Sequence, residues 1–271
     1  AYNLEPEIYN FKILYAWINF LNGKPGMMHL KFDTGMHRLG FEDKDVHELT
    51  NVLVNNPHIK VASMFTHLAG ADDAQFDTFS RRQAAMFLQQ AQKISAAIGY
   101  QPLLHILNSP GILRLADLQL DMVRVGIGLY GVDPTAENNH ALKPVATLKT
   151  IISQIKQVAA GESIGYGRKG KVDKPTTVAT IAIGYADGFS RAFSNGVGEV
   201  LVNKKHAKVI GNVCMDMTMI DITGIPAREG DEVIVFGEQL PIQQVADRIN
   251  TIPYEILTST SERVKRVFVA G

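Results

Sequence analysis

A chain of 271 residues with 46% hydrophobic and 20% charged side chains can bury one large core or two modest ones, which excludes a disordered chain. Its 27 Lys and Arg balance 27 Asp and Glu without a basic stripe, so nucleic acid is not an expected partner. The single cysteine, Cys214, cannot close an intrachain disulfide, no apolar run approaches the ~18 residues of a membrane span, and the opening residues lack a secretion signal; the expected setting is the cytoplasm, with no membrane partner.

Residues 6–21 place Ile8, Phe11, Leu14, Tyr15, Ile18 and Leu21 at a helical period. Residues 29–33 alternate apolar and polar and predict a short strand, which runs into the tight Asp33-Thr34-Gly35 turn and a loop carrying Arg38. A helix is predicted from Asp43 with Val46 and Leu49 inward, then a strand over 61–67 ending in Thr66-His67. Residues 74–98 read as a long helix with Phe76, Phe79, Met86, Phe87 and Ile94 on one side, and 103–107 as a strand ending in Asn108-Ser109. Ser109-Pro110-Gly111 predicts a helix start, with serine as the N-cap and proline at the first helical position. Residues 122–130 read as the last strand of this half. Buried strands alternating with helices predict a parallel sheet covered by helices.

The pattern changes near residues 134–143. Strands follow without long helices between them, over 146–158, 177–183, 199–202, 207–213, 217–222, 232–236 and 263–269, with short helices over 242–249 and 254–261. The expected organisation is a partial (β/α) barrel domain over 1–140 and a mainly β domain over 141–271. Four strand–helix units are half of the eight that close a barrel, and four parallel strands alone leave two unpaired edges, so the first domain is expected to be completed by a further segment or a second copy.

Polar groups mark the predicted strand ends: Lys31, Asp33 and Arg38, then His67, then Asn108 and Ser109, then Arg124 and Gly126. In parallel α/β sheets ligands bind at that edge. The N–H groups at the start of the Ser109 helix suit an anion, and Gly126 lets backbone come close to a ligand. Taken singly, Ser109 could be only a helix cap and His67 only a hydrogen-bonded structural histidine; the coincidence of four such ends favours a binding site.

The motifs Lys31-Phe-Asp-Thr-Gly-Met-His-Arg38-Leu-Gly-Phe, Phe65-Thr-His67, Asn108-Ser109, Val123-Arg124-Val-Gly126-Ile-Gly-Leu-Tyr-Gly131, Ile164-Gly-Tyr166-Gly, Ile183-Gly-Tyr185-Ala-Asp-Gly188 and Val213-Cys-Met215-Asp216-Met resemble alanine racemase, in family order and over essentially the whole chain. Residues 4–9 and 261–265 are similar to racemase domains fused behind a cell-wall peptide ligase. The resemblance implies the C-terminal half of a (β/α)8 TIM barrel of the fold type III class followed by a β domain. It also implies pyridoxal 5′-phosphate as cofactor, alanine as substrate for peptidoglycan synthesis, and a homodimer whose active site is shared between subunits. No metal is expected.

By that resemblance Asn108, Ser109 and Gly126 would hold the phosphate end, Arg124 would face the pyridine nitrogen, and His67 would bridge to Arg124. A guanidinium keeps its protons, so the ring nitrogen would stay unprotonated and the ring would be a restrained electron sink, which suits racemisation. Tyr166 would be the base on one face and reach the site from the partner subunit, although a tyrosine in a Gly turn can equally be plain surface; free tyrosine, with pKa ≈ 10, needs cationic neighbours for such a role. Arg38 would hold the substrate carboxylate, Lys31 is the candidate for a carbamate bracing Arg38, and Met215 and Tyr185 would line the substrate end.

One family feature has no match. The Schiff-base lysine belongs to a Lys-Ala-x-Ala-Tyr-Gly segment that these residues do not contain, and Lys60 precedes its predicted strand. The 271 residues are therefore expected to be inactive alone. The alternatives are a non-catalytic dimerisation module, or a related racemase or decarboxylase using the same cofactor.

Overall fold

In the computed structural model, which describes residues 4–135 and 142–269, Asn10 decides where the first helix starts. Its carboxamide accepts the Ile13 N–H at 2.9 Å, so α1 runs Phe11–Leu21. The expected helix over 6–21 is corrected at its front. Glu7–Ile8 is instead a short strand, β1, pairing in parallel with His29 and Leu30 of β2 (Gly26–Lys31). Ladder pairing supplies those residues with bonds before the cap takes over.

The chain continues through α2 (Val46–Val54), β3 (Ile59–Phe65), α3 (Asp77–Ile98), β4 (Leu103–His105) and α4 (Ser109–Arg114). The strands form one sheet in the order β1-β2-β3-β4, every neighbour parallel, as the alternating pattern predicts. Leu30, Phe32, Met64, Phe87, Ile94 and Ile106 are buried in its core. The inward face of α3 differs from expectation, since Phe76 and Phe79 stay 45% and 37% exposed while Gln83 and Gln90 are buried. Gln83 earns that place with hydrogen bonds: it accepts the Ala69 N–H at 3.0 Å and donates to His67 O at 3.1 Å.

Residues 122–130 are not a strand. The Asp121 carboxylate takes the Leu104 N–H at 2.8 Å, and the N–H groups of Gly126 and Gly128 turn to the Ser109 hydroxyl oxygen at 2.9 and 3.3 Å. Those donors are lost to a ladder, and Ile127–Tyr130 closes as a 3-10 turn. The four parallel strands therefore include β1 and omit this segment.

Residues 4–128 and 133–135 make one compact unit, and 129–132 with 142–269 make a second. The expected boundary at 140/141 lies outside the described residues. The second unit holds β5 (Leu148–Val158), β6 (Ser163–Ile164), β7 (Gly170–Lys171), β8 (Thr176–Ile181), β9 (Glu199–Val202), β10 (Lys205–Lys208), β11 (Thr218–Asp221), β12 (Glu232–Phe236), α5 (Ile242–Asp247) and α6 (Pro253–Ser259). Six of these strands form an antiparallel sheet in the order β10-β9-β12-β5-β8-β11. A bridge between Val209 and Ile220 brings its two edges together, so the sheet nearly closes on itself. The predicted strand over 263–269 is absent: Arg263 is drawn to Asp187 and Asp216, and Val267 and Phe268 stand exposed. Among the described residues no helix is long and apolar enough to cross a membrane.

Candidate cofactor site

The parallel sheet ends in a polar cluster whose hub is Arg124. Its Nη1 donates to His105 Nδ1 at 2.6 Å and to His105 O at 3.3 Å. Its Nη2 donates to Thr66 O at 2.9 Å, Ile106 O at 3.3 Å and His67 Nδ1 at 3.4 Å. The guanidinium also lies 5.1 Å from the Phe65 ring centroid, and that ring stacks on His105 with centroids 4.8 Å apart. Burial draws the Arg124 pKa down, with Glu7 opposing; a guanidinium nonetheless stays charged. The cation is thus bound by carbonyls, an aromatic face and two imidazoles.

Both imidazoles are neutral at pH 7. Burial, reinforced by Arg124, Arg38 and Lys31, lowers the His67 pKa to about 4, and burial with Arg124 and His29 lowers that of His105 to about 4. Because a guanidinium only donates, each ring presents an unprotonated Nδ1 to Arg124. The unfolded rings titrate near 6.5, so between pH 6.5 and about 4 the unfolded chain binds protons that the folded one refuses. Their contribution to stability is intact above pH 6.5 and falls as the pH drops toward 4. Urea unfolding across that window checks this: the decline is expected to be shallower in a His67→Asn variant, and an equal slope would contradict it.

Lys31 ends β2. Its Nζ lies 3.1 Å from the Glu7 carboxylate and 5.6 Å from the Phe65 ring centroid, so β1 supplies the partner of a side chain on its neighbour. The loop after it is closed by backbone bonds, Asp33 N–H to Phe41 O and Phe41 N–H to Lys31 O, both at 2.9 Å. Gly40, at φ +138°, allows that closure, since a Cβ there would meet Asp33 N at 2.4 Å. Asp33 is a loop residue: burial would raise its pKa, but the N–H groups of His37 and Gly35 hold it below the ordinary value. Arg38 stands exposed on this loop, close enough for its charge to act on His67.

At the start of α4 the N-cap is Asn108, whose carboxamide accepts the Gly111 N–H at 3.1 Å, and the expected Ser109 cap is corrected accordingly. Ser109 is freed for another task. Its oxygen accepts from Gly126 and Gly128, which leaves its one hydroxyl proton to donate elsewhere. Neither glycine carries a Cβ to fill the space beside that oxygen; one on Gly126 would approach it to 3.8 Å. A hydroxyl donor in a side-chain-free recess, beside a half-buried cation, is a donor set suited to an anionic group with an aromatic nitrogen base attached.

The second unit carries its own cluster. Tyr166 is 74% exposed, between Gly165 at φ +73° and Gly167 at φ +63°, and its carbonyl accepts the Asn212 side-chain N–H at 3.1 Å. It borders a cavity of about 420 Å³ lined also by Lys156, Ile164, Cys214 and Met219. Tyr185 and Met215 lie on adjoining backbone: Tyr185 N–H donates to Cys214 O and Ala186 N–H to Met215 O, both at 3.0 Å. Gly184 permits this approach, as a Cβ there would meet Cys214 O at 2.3 Å.

The structure thus gathers His67 and Arg124, sets Ser109 against Gly126, and gathers Tyr185 with Met215, while Lys31 and Arg38 occupy the end of β2 and the loop after it. Sequence reasoning missed Phe65, His105 and Glu7. His105 had a legible signal, a histidine closing a strand a few residues before Asn108, as His67 follows the strand before it. Glu7 had none, because its strand was read as helix.

Two family patterns match this chain: "Alanine racemase, N-terminal domain" over residues 1–134 and "Alanine racemase, C-terminal domain" over 145–268. The alanine racemase of Clostridium tetani is 36% identical over 279 aligned positions, covering 99% of this chain and 72% of that protein. The alanine racemase of Desulfosudis oleivorans is 38% identical, covering 90% of this chain and 66% of that protein. The chain therefore spans about two thirds to three quarters of the length of these relatives. Among solved structures, alanine racemase from Bartonella henselae with covalently bound pyridoxal phosphate superposes with a TM-score of 0.90 at 31% identity, covering 98% of this chain and 74% of that one.

Proposed function

This chain belongs to the alanine racemase family, and from that premise we propose that its residues serve the interconversion of L- and D-alanine on pyridoxal 5′-phosphate, in the cytoplasm, for peptidoglycan synthesis. The observation that carries the reading is the half-buried Arg124 cation beside the Ser109–Gly126 recess. The Ser109 hydroxyl and the backbone at Gly126 would hold the phosphate, with Asn108 fixing the turn that presents Ser109. Arg124 would face the pyridine nitrogen, and His67 would steady it. Bound there, pyridoxal phosphate supplies an electron sink for the charge left when alanine loses its α-proton.

The chain's own residues do the rest. Arg124 keeps its protons and offers only donors, so a pyridine nitrogen facing it would accept a hydrogen bond and stay unprotonated, which would restrain the sink. Arg38 would hold the substrate carboxylate, and Tyr185 with the Met215 backbone, arriving with Tyr166 from a second copy, would border its small side chain. The Tyr166 phenol would take and return the α-proton on one face; its exposure suits delivery to the site of a second copy in a homodimer. Lys31, whose Nζ lies 3.1 Å from the Glu7 carboxylate, would brace the β2 tip. Carbamylation needs the neutral amine and would set a second anion against Glu7.

The lysine on which the family's chemistry turns is matched by none in residues 1–271, and we place it outside them. Two preparations test this. The 271 residues alone are expected to racemise no alanine and to fix no pyridoxal phosphate at a single lysine on borohydride reduction. The same residues joined to a lysine-bearing opening segment from a relative are expected to interconvert the two enantiomers. A mapped adduct in the first, or turnover of a larger amino acid but not alanine in the second, would overturn the reading.

A further inference from the structure

A line of polar side chains crosses the parallel sheet from Arg124 to its far edge. Beyond the 2.6 Å contact of Arg124 Nη1 with His105 Nδ1, His105 Nε2 lies 3.0 Å from Ser63 Oγ. Ser63 Oγ lies 2.7 Å from His29 Nδ1, and His29 Nε2 lies 3.0 Å from the Glu5 carboxylate. The register makes this line possible: Ser63 on β3 stands opposite His29 on β2, and His105 closes β4 opposite Phe65. Ser63 and His105 are buried, whereas Glu5 is exposed just before β1.

Only one arrangement of protons gives every contact a donor and an acceptor with both rings neutral. The guanidinium has no acceptor, so His105 Nδ1 must accept and its single ring proton sits on Nε2. That proton goes to Ser63 Oγ. The Ser63 hydroxyl proton is then aimed at His29 Nδ1, and His29 carries its proton on Nε2, facing a carboxylate that can only accept.

We infer that Ser63, His29 and Glu5 form a one-way hydrogen-bond relay that positions Arg124, with Glu5 as its terminal acceptor. Arg124 makes its contacts with carbonyls, an aromatic ring and imidazoles, and the relay links it through three uncharged groups to a negative charge at the sheet edge. Each link polarises the next, so the carboxylate makes His105 Nδ1 a stronger acceptor and holds the guanidinium in one plane. The logic is that of a carboxylate orienting a histidine that orients a reactive centre. Ser63, His29 and Glu5 act through Arg124 and are positioning residues.

The inference rests on Arg124 as the partner of the cofactor ring, and the experiment separates the two. Long-range nitrogen–proton NMR on the full chain at pH 7.5 is expected to show His29 and His105 as neutral Nε2–H tautomers. A proton on Nδ1 of either ring, or a charged His29, would overturn the relay. Calorimetry with pyridoxine 5′-phosphate, which cannot form an imine, is the second readout. Ser63→Ala is expected to weaken binding by about 3- to 10-fold, the worth of one hydrogen bond, and Ser63→Thr to restore it. Unchanged affinity in Ser63→Ala would overturn the positioning role. If the native chain binds no pyridoxine 5′-phosphate, the functional reading fails and the tautomers alone decide the relay.

Discussion

Gly126→Ala is expected to lower the affinity for pyridoxine 5′-phosphate by about 30-fold or more while leaving the urea midpoint of the chain nearly unchanged. The two halves of that result have separate causes. An added Cβ would find Ser109 Oγ at 3.8 Å as its nearest neighbour, an ordinary contact, and Gly126 is exposed, so the fold has room for the methyl group. The same methyl group would stand in the recess where, on the proposed reading, the Ser109 hydroxyl would donate to a phosphate oxygen. Hydrogen bonds to a charged group are worth about 1.5–3 kcal/mol each, and displacing the phosphate from even one of them gives a loss of this size. Calorimetry checks the affinity and chemical unfolding checks the fold. A variant that binds as tightly as the native chain would remove the phosphate from this recess.

Tyr166→Phe carries the other large effect. In a preparation that racemises alanine with these residues, the substitution is expected to slow racemisation by about 100- to 10,000-fold, the usual worth of a positioned acid–base group. It removes one oxygen from a side chain that is 74% exposed, so stability should move by less than about 0.5 kcal/mol. Exchange of the α-hydrogen with deuterium from solvent sharpens the test. With Tyr166 serving one face, as proposed, exchange from one enantiomer should collapse while exchange from the other survives. An equal loss from both would assign Tyr166 a structural task, and no loss would leave it as plain surface.

Much of this was legible in the chain itself. The parallel order of the first sheet followed from strands alternating with helices, and the change near residue 134 announced a unit of different build. Strands 199–202 and 232–236 fell where expected because glycine and charged turns bound them on both sides. The failures share a physical cause, competition between side chain and backbone for the same partner. Asn10 cut short a helix that hydrophobic spacing would have begun earlier. Asn108 took the cap that Ser109 was expected to fill, and Ser109 then drew away the N–H groups that would have made residues 122–130 a strand. A period-based reading counts apolar positions and cannot see where a hydroxyl or carboxamide spends its bonds. The motifs named residues that the fold brings together, His67 with Arg124 and Ser109 with Gly126, but they did not show that Arg124 is the hub. That Arg124 contacts two histidines and three carbonyls depends on strand ends brought together only by folding.

Diffraction from crystals of the 271-residue chain grown with pyridoxine 5′-phosphate asks the decisive question. The expected map shows the phosphate on the Ser109 hydroxyl beside Gly126, with the pyridine nitrogen turned to Arg124. Density for the compound anywhere else, or a vacant recess at saturating concentration, would contradict it.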